Sequence, residues 1–242
     1  NKGLKIINDD KYVWTATEQG LYRYNRETNE TINYRENFIE KGITNYKIFD
    51  IFQDESDENI LWLAGGKEGG LIKFHKTEGV IKNYLSTSEE NSLSYDSINC
   101  IQGDEKGNLW IGTEVGLNKF NLEKEMFTQY YDKDGLASNY INSIIIDNNE
   151  DIWLGTNKGL SKFIINESRF INFTDTDGII GNQFNKRAAY KTKEGHLLFG
   201  TTEGVVSFNL NNIEEVTPKV DKVVLDNLWV NRELFISDGD NI

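Results

Sequence analysis

Carboxylates crowd a few short stretches of this sequence, and their spacing raises the question of what they hold. Asp147, Asn149 and Asp151 stand at positions one, three and five of a run, the spacing with which a calcium loop offers its oxygens. The run lacks the central glycine and the distal bidentate glutamate of such a loop, so a tight turn held by side-chain bonds to its own backbone explains it better. Asp104, Glu105 and Asn108 form a similar set, and the Asp-x-Asp-Gly runs opened by Asp132 and Asp175 invite the same caution. The two histidines, His75 and His196, lie in different repeats without matching partners and read as solvated turn residues. No zinc spacing, phosphate-cradling loop or nucleophile elbow occurs. The expectation is a chain with no cofactor, no metal and no catalytic cluster.

What positions these residues is a repeat. The phrase LWIGTEVGLNKFN, from Leu109, returns as IWLGTNKGLSKFI from Ile152, VWTATEQGLYRYN from Val13, LWLAGGKEGGLIKF from Leu61 and LLFGTTEGVVSFN from Leu197. Its anchors are Trp14, Trp62, Trp110, Trp153 and Leu198, at separations of 48, 48, 43 and 45. A period of that length marks a repeated supersecondary unit. Each unit alternates short apolar runs with Gly, Asn and Asp turns and shows no helical period, so the unit is made of strands. In the fourth unit they are expected at 141–147, 152–156, 160–164 and 169–174. Four antiparallel strands per repeat without a helix is the pattern of a β-propeller blade. A sandwich would give no reason for near-identical strands at a fixed period.

The fold class is therefore all-β, with about five four-stranded blades over 1–216, at approximately 1–40, 41–90, 91–134, 135–178 and 179–216, the fifth lacking a convincing fourth strand. The second strand of a blade is covered on both faces and reads as a continuous apolar run, as Leu109, Trp110 and Ile111 do. The tryptophans are expected to pack between blades. Gly112 and Gly155 should give way where another blade's backbone comes close, and Gly116, Gly159 and Gly204 should supply a positive φ before the third strand. The second unit spells LAGGKEGGL, two residues longer than its counterparts, so its turn should protrude.

Propeller geometry gathers the loops that enter each blade on one face around the channel. Superposing these lead-ins places Tyr46, Asp96, Asn139 and Asn182 at one equivalent position, and Phe49, Asn99, Asn142 and Asn185 at another three residues on. With Tyr95, Tyr140 and Arg187 nearby, the amides would suit the hydroxyls of a sugar: directional donors and acceptors beside flat apolar faces. The alternative is that the asparagines close their loops on their own backbone. The candidate ligand-binding set is Tyr95, Asn99, Asn139, Tyr140, Asn142, Asn182, Asn185 and Arg187.

These repeats resemble the two-component regulator propeller family: an Asp, a turn, LWIGT, two residues, GL, two residues, F. The lead-ins DGLASNYINSIIID from Asp134 and DGIIGNQFNKRAAY from Asp177 are similar to the family's loops between blades. After Pro218, the only proline, TPKVDKVVLDNLWVNREL resembles the start of the triple-tyrosine domain, an immunoglobulin-like module, so 217–242 would be linker and first strands of that domain. The resemblance implies an extracellular or periplasmic sensor segment of a bacterial membrane-bound signalling protein, non-catalytic itself and reading a carbohydrate or other nutrient. A structural propeller that holds a dimer together, with the ligand bound elsewhere, is the alternative. Family propellers have seven blades, so five units imply the C-terminal part of a ring.

Composition narrows the partners. With 39 acidic against 26 basic residues and a formal charge of -13, the chain has no basic run that could track nucleic acid. Apolar runs such as Ile144 to Ile146 are far too short to span a bilayer, so any membrane attachment would lie outside this segment. The first residue is Asn1, which reads as a piece of something longer. The single cysteine, Cys100, lies in the apolar run Ile98 to Ile101, where a buried inert thiol is expected. An open ring would bare Ile6, Val13 and Trp14 at one end and Leu198, Val206 and Phe208 at the other, which predicts self-association.

Overall fold

The computed structural model describes residues 3–210 and a short strand pair, 228–230 with 233–235. Five antiparallel sheets follow one another along 3–210. Blade 1 is β1 (Gly3–Asn8), β2 (Tyr12–Thr17), β3 (Gly20–Asn25) and β4 (Thr31–Asn33), followed by one short helix, α1 (Arg35–Glu40). Blade 2 is β5 (Ile48–Gln53), β6 (Ile60–Gly65), β7 (Leu71–His75) and β8 (Gly79–Tyr84). Blade 3 is β9 (Ile98–Gly103), β10 (Asn108–Thr113), β11 (Gly116–Asn121) and β12 (Met126–Tyr130). Blade 4 is β13 (Ile141–Ile146), β14 (Ile152–Thr156), β15 (Gly159–Ile164) and β16 (Arg169–Phe173), each within a residue of its expected bounds. Blade 5 has β17 (Phe184–Lys191), β18 (His196–Thr201) and β19 (Val205–Asn209), and no fourth strand among the described residues. The protein is an all-β, five-bladed propeller. The chain divides after Leu210, and the pair at 228–235 belongs to a separate unit. Apart from that pair, the expected linker and immunoglobulin-like start at 217–242, Pro218 included, lie outside the described residues.

The innermost strands of successive blades pack side by side. Each of the first four carries a one-residue bulge near its start, at Leu4, Phe49, Asn99 and Asn142, which breaks the pairing with the second strand. The second strands of blades 2, 3 and 4 are buried along their whole length, as a sheet sandwiched between two others must be. In blades 1 and 5 the second strand instead alternates between buried and half-exposed positions, so each end sheet keeps one face uncovered.

A repeated tryptophan cluster joins the blades. Trp14, Trp62, Trp110 and Trp153 are at most 2% exposed, and each meets a phenylalanine from the third strand of the next blade: Phe74, Phe120, Phe163 and Phe208, at ring distances of 5.9, 5.5, 5.8 and 4.9 Å. An aromatic ring at the end of the blade's own fourth strand lies against the same indole: Tyr34, Tyr84, Tyr130 and Phe173. A cation from the third strand sits over it as well, Lys73, Lys119 and Lys162 each at 5.5 Å and Arg23 at 5.7 Å. Blade 5 places Leu198 and Ser207 at the indole and cation positions, so the cluster ends there as a set.

Positive φ angles of +124°, +112° and +155° at Gly116, Gly159 and Gly204 match the expected turn chemistry. Gly112 and Gly155 have a different reason from the expected one. A Cβ on Gly112 would come within 2.7 Å of the Cys100 sulfur and 2.6 Å of Ile141, and one on Gly155 within 2.5 Å of the Ser143 hydroxyl. The inner strands' side chains, rather than another blade's backbone, fill that space. The longer turn of blade 2 exposes Lys67 and Glu68, while Gly69 folds back on Gly65. The end faces are also less apolar than the sequence suggested. Trp14, Val206 and Phe208 turn toward neighbouring blades, because side chains alternate along a strand. What remains uncovered includes Ile6, Val13, Thr15 and Tyr24 at one end and His196, Leu198 and Ser207 at the other.

Candidate functional site

The turn carboxylates hold tryptophans. Asp147 accepts bonds from the backbone N–H of Asn149 (2.8 Å) and Asp151 (3.0 Å), and its second oxygen takes the indole N–H of Trp153 (2.8 Å). Asp104 does the same for Lys106, Asn108 and Trp110, and Asp54 for Ser56 and Trp62. Burial acts to raise the Asp54 carboxyl, but bonds from the Ser56 hydroxyl and the Trp62 indole outweigh it and hold it below its ordinary value. Asp151 is turned away to pair with Lys162 at 3.0 Å. The turn reading of these residues is therefore the one the geometry supports, and the indole bond is a role that one stretch of sequence did not reveal. In blade 5 a threonine, Thr192, stands where the aspartate would be, opposite an anchor without an N–H. Among the described residues no group of three or more His, Cys, Asp or Glu is arranged to hold a metal. His75 caps its own turn through Nδ1, and His196 lies exposed beside Asn209.

Two of the candidate asparagines are loop closers. Asn139 Oδ1 accepts the backbone N–H of Asp132 (2.7 Å), and Asn182 Oδ1 that of Asp175 (2.9 Å). Their carbonyls take the N–H of Gly116 and Gly159 in the turns of the preceding blades. Asn142 reaches Asn157 at 2.7 Å, Asn185 reaches the Thr201 carbonyl at 2.7 Å, and Tyr95 is half-buried in the loop before β9.

The remaining candidates converge through an irregularity of β17. Its pairing with β18 jumps from Phe184–Thr201 to Ala189–Phe199, which leaves four residues opposite Gly200, two more than the inner strands of blades 3 and 4 leave at that point. Within the extra loop Arg187 has φ +58°, a conformation uncommon for a residue with a side chain. The loop sends Lys186 to Glu114 (3.1 Å) and over the ring of Tyr140 (4.9 Å), whose hydroxyl donates to the same carboxylate at 2.8 Å. Arg187 crosses to blade 3, where it donates to the Asn99 carbonyl at 3.3 Å, and lies 5.5 Å over Phe49 of blade 2. Its guanidinium has no ion pair among the described residues. Asn99 itself is fully buried, its amide N–H bonded to the Ile141 carbonyl and its Oδ1 without a partner.

Below this mouth the inner strands carry Asp50, 4% exposed, which accepts the N–H of Ile51 and, across the blade boundary, of Ile101 (3.0 Å). Burial raises its carboxyl above the ordinary range despite Lys5 at 3.9 Å. Burial, with Asp50 near, likewise raises the thiol of Cys100, which is the inert buried residue expected. A cavity of about 810 Å³, lined by Lys5, Glu55, Gln102, Glu105, Tyr190 and Lys191 among others, spans all five blades on the side of the Asp turns. The sequence offered no signal for it, because its walls combine turn backbone and isolated charges with the ends of inner strands from separate blades.

Residues 92–115 and 135–158 match the family described as two component regulator propeller. The "Histidine kinase P4" of Formosa agariphila is 31% identical over 136 residues, which is 51% of this chain and 9% of that protein. The extracellular domain of a B. thetaiotaomicron protein given as the hybrid two component system BT3049 superposes with a TM-score of 0.74 at 20% identity, over 98% of this chain and 33% of that one. A second such domain, of BT4673, gives 0.72 at 22% identity over 88% and 30%. The GH74 enzyme of Niastella koreensis gives 0.65 at 16% identity over 86% and 36%. The chain thus spans about a third or less of the length of these relatives, and the structural likenesses establish the fold. Two stretches of the chain, 92–115 and 135–158, thus match two component regulator propeller repeats in sequence.

Proposed function

We propose that this propeller is a non-catalytic ligand-reading segment in the extracellular or periplasmic region of a bacterial membrane-bound signalling protein. A small molecule or oligosaccharide engages the channel mouth. The carrying observation is the two-residue enlargement of β17, which brings Lys186 and Arg187 together with Tyr140, Asn99 and Phe49 from three other blades. A half-buried guanidinium with spare donors beside aromatic faces is suited to a hydroxyl-rich ring, and a positive-φ bulge is a frequent device for aiming side chains at a ligand. A ligand that bridges blade 5 to blades 2 and 3 ties together sheets distant in sequence, which is the input for a signal carried by longer flanking regions. The likeness to extracellular domains of hybrid two component systems supports this setting. No helix among the described residues is long and apolar enough to cross a membrane.

Propellers of this shape also serve enzymes, so turnover is measured in the same experiment. A thermal-shift screen and glycan array with mono- and oligosaccharides should find a ligand whose binding is weakened tenfold or more by Arg187→Ala. Hydrolysis or elimination of any bound saccharide would replace this reading with an enzymatic one. Ligand affinity unchanged in the Arg187→Ala chain would remove the mouth as the site. The second reading, a propeller that holds two copies together with the ligand bound elsewhere, draws on the uncovered end faces, where Ile6 is 60% and Tyr190 65% exposed. Light scattering over a wide concentration range distinguishes it.

A further inference from the structure

Blades 1 to 4 each end in a fourth strand, and among the described residues blade 5 does not. β19 is consequently an edge among the described residues. The Thr201 N–H bonds the Gly204 carbonyl at 2.8 Å, which sets Val206 and Phe208 to bond β18 and directs the amides and carbonyls of Val205 and Ser207 outward. Both residues are exposed, Val205 at 58%. Edge strands that are meant to stay free carry lysine, proline or a bulge. β19 reads VVSFN and has none of these.

The other blades show what fits such an edge. In blade 3 the fourth strand sets Phe127 opposite Phe120 with ring centres 4.5 Å apart, and three residues on Tyr130 lies opposite Leu117. Blade 4 repeats this with Phe170 opposite Phe163, again at 4.5 Å, and Phe173 opposite Leu160. Phe120 and Phe163 are at most 2% exposed, whereas their counterpart Phe208 is only half-buried, and Val205 occupies the place of Leu117 and Leu160. We propose that β19 is a strand-accepting edge, completed antiparallel by an extended segment of a partner polypeptide. That segment carries an apolar residue opposite Phe208 and an aromatic one three positions later, opposite Val205. The backbone ladder supplies attachment and the two side chains set the register.

The experiment uses the whole chain and a labelled peptide, KEMFTQYYDK, copied from 124–133. Fluorescence anisotropy should show saturable binding, tenfold or more weaker for the peptide with aspartate in place of its first Phe and first Tyr. Val205→Lys, a change at an exposed position, should weaken binding comparably, and Ser207→Pro should abolish it by removing an outward N–H. Hydrogen exchange at Ser207 should slow only when the peptide is present. Absence of saturable binding, equal binding of a scrambled peptide, or indifference to Val205→Lys overturns the proposal. Should Ser207→Pro melt the sheet, the Val205→Lys chain and the exchange readout decide alone.

Discussion

Replacing Asp147 by alanine tests whether the turn carboxylates are there for the tryptophans. The change removes the acceptor of the Trp153 indole, whose side chain is 1% exposed, and of two backbone amides in the turn. A buried donor left unsatisfied costs about 1–3 kcal/mol, and each lost turn bond about 0.5–1.5 kcal/mol, part of which water recovers for the exposed Asn149 amide. The expected loss is about 3 kcal/mol, or roughly 6–12 °C in Tm for a chain of this size. Blades 1 and 5 provide the controls. Asp9 binds the amides of Lys11 and Tyr12 but leaves the Trp14 indole without a partner, and Thr192 faces a blade that has no indole at the anchor. Asp9→Ala, which loses two turn bonds and the contact with Lys76, should therefore cost about 1–2 kcal/mol, and Thr192→Ala about 1 kcal/mol or less. In a Trp153→Phe background, Asp147→Ala should lose about 1–2 kcal/mol of its effect, which a double-mutant cycle in urea measures directly. Equal costs in all three turns, or no coupling to Trp153, would show that the carboxylate serves the turn alone.

Three further outcomes follow from the packing. Gly159→Ala puts a Cβ 2.4 Å from the Phe173 carbonyl at φ +112° and should destabilise by about 1–3 kcal/mol in chemical denaturation, whereas Gly107→Ala, with open space around it, should cost less. Because burial raises the Asp50 carboxyl in the folded chain, the native state takes up its proton before the unfolded state does. Stability contributed at this site therefore rises as pH falls from above the raised value toward the ordinary 3.8. Against Asp50→Ser, the residue type of blade 4 at that place, the difference in stability from unfolding curves should shift in favour of Asp50 on acidification, and a difference that does not change with pH would contradict the assignment. Cys100 should react with a thiol reagent only on the timescale at which the boundary between blades 3 and 4 opens, and rapid native-state labelling would show that boundary to be loose.

Strand positions were legible because the same phrase recurs and its turns recur with it: Gly116, Gly159 and Gly204 can be aligned by eye, and their φ angles agree. The indole bond was not, since it joins residues six or eight apart through a hairpin whose register a sequence does not print. Its trace is nevertheless present, as Thr192, Leu198 and Ser207 replace aspartate, tryptophan and lysine together. The enlargement of β17 could have been found by counting. Tyr46 to Asp54, Asp96 to Asp104 and Asn139 to Asp147 each span eight steps, and Asn182 to Thr192 spans ten. Superposing lead-ins on their asparagines correctly paired Asn139 with Asn182 but hid the two residues inserted just beyond. The end faces were misjudged because apolar residues were assigned to a bare side without following the alternation that turns Trp14 and Phe208 inward.

The tryptophan cluster has a direction, and direction matters to a chain that leaves the ribosome from its N-terminus. Each indole is held by its own blade's cation and outer-strand ring, and in blades 2 to 4 by its aspartate, yet its last contact is a phenylalanine supplied by the blade synthesised next. A newly emerged blade thus waits with one aromatic face unfinished for a successor some forty-odd residues behind it. That direction predicts assembly in the order of translation, each blade docking on the one before it. Leu198 ends the sequence of requests: blade 5 accepts the indole of Trp153 through Phe208 and presents none of its own.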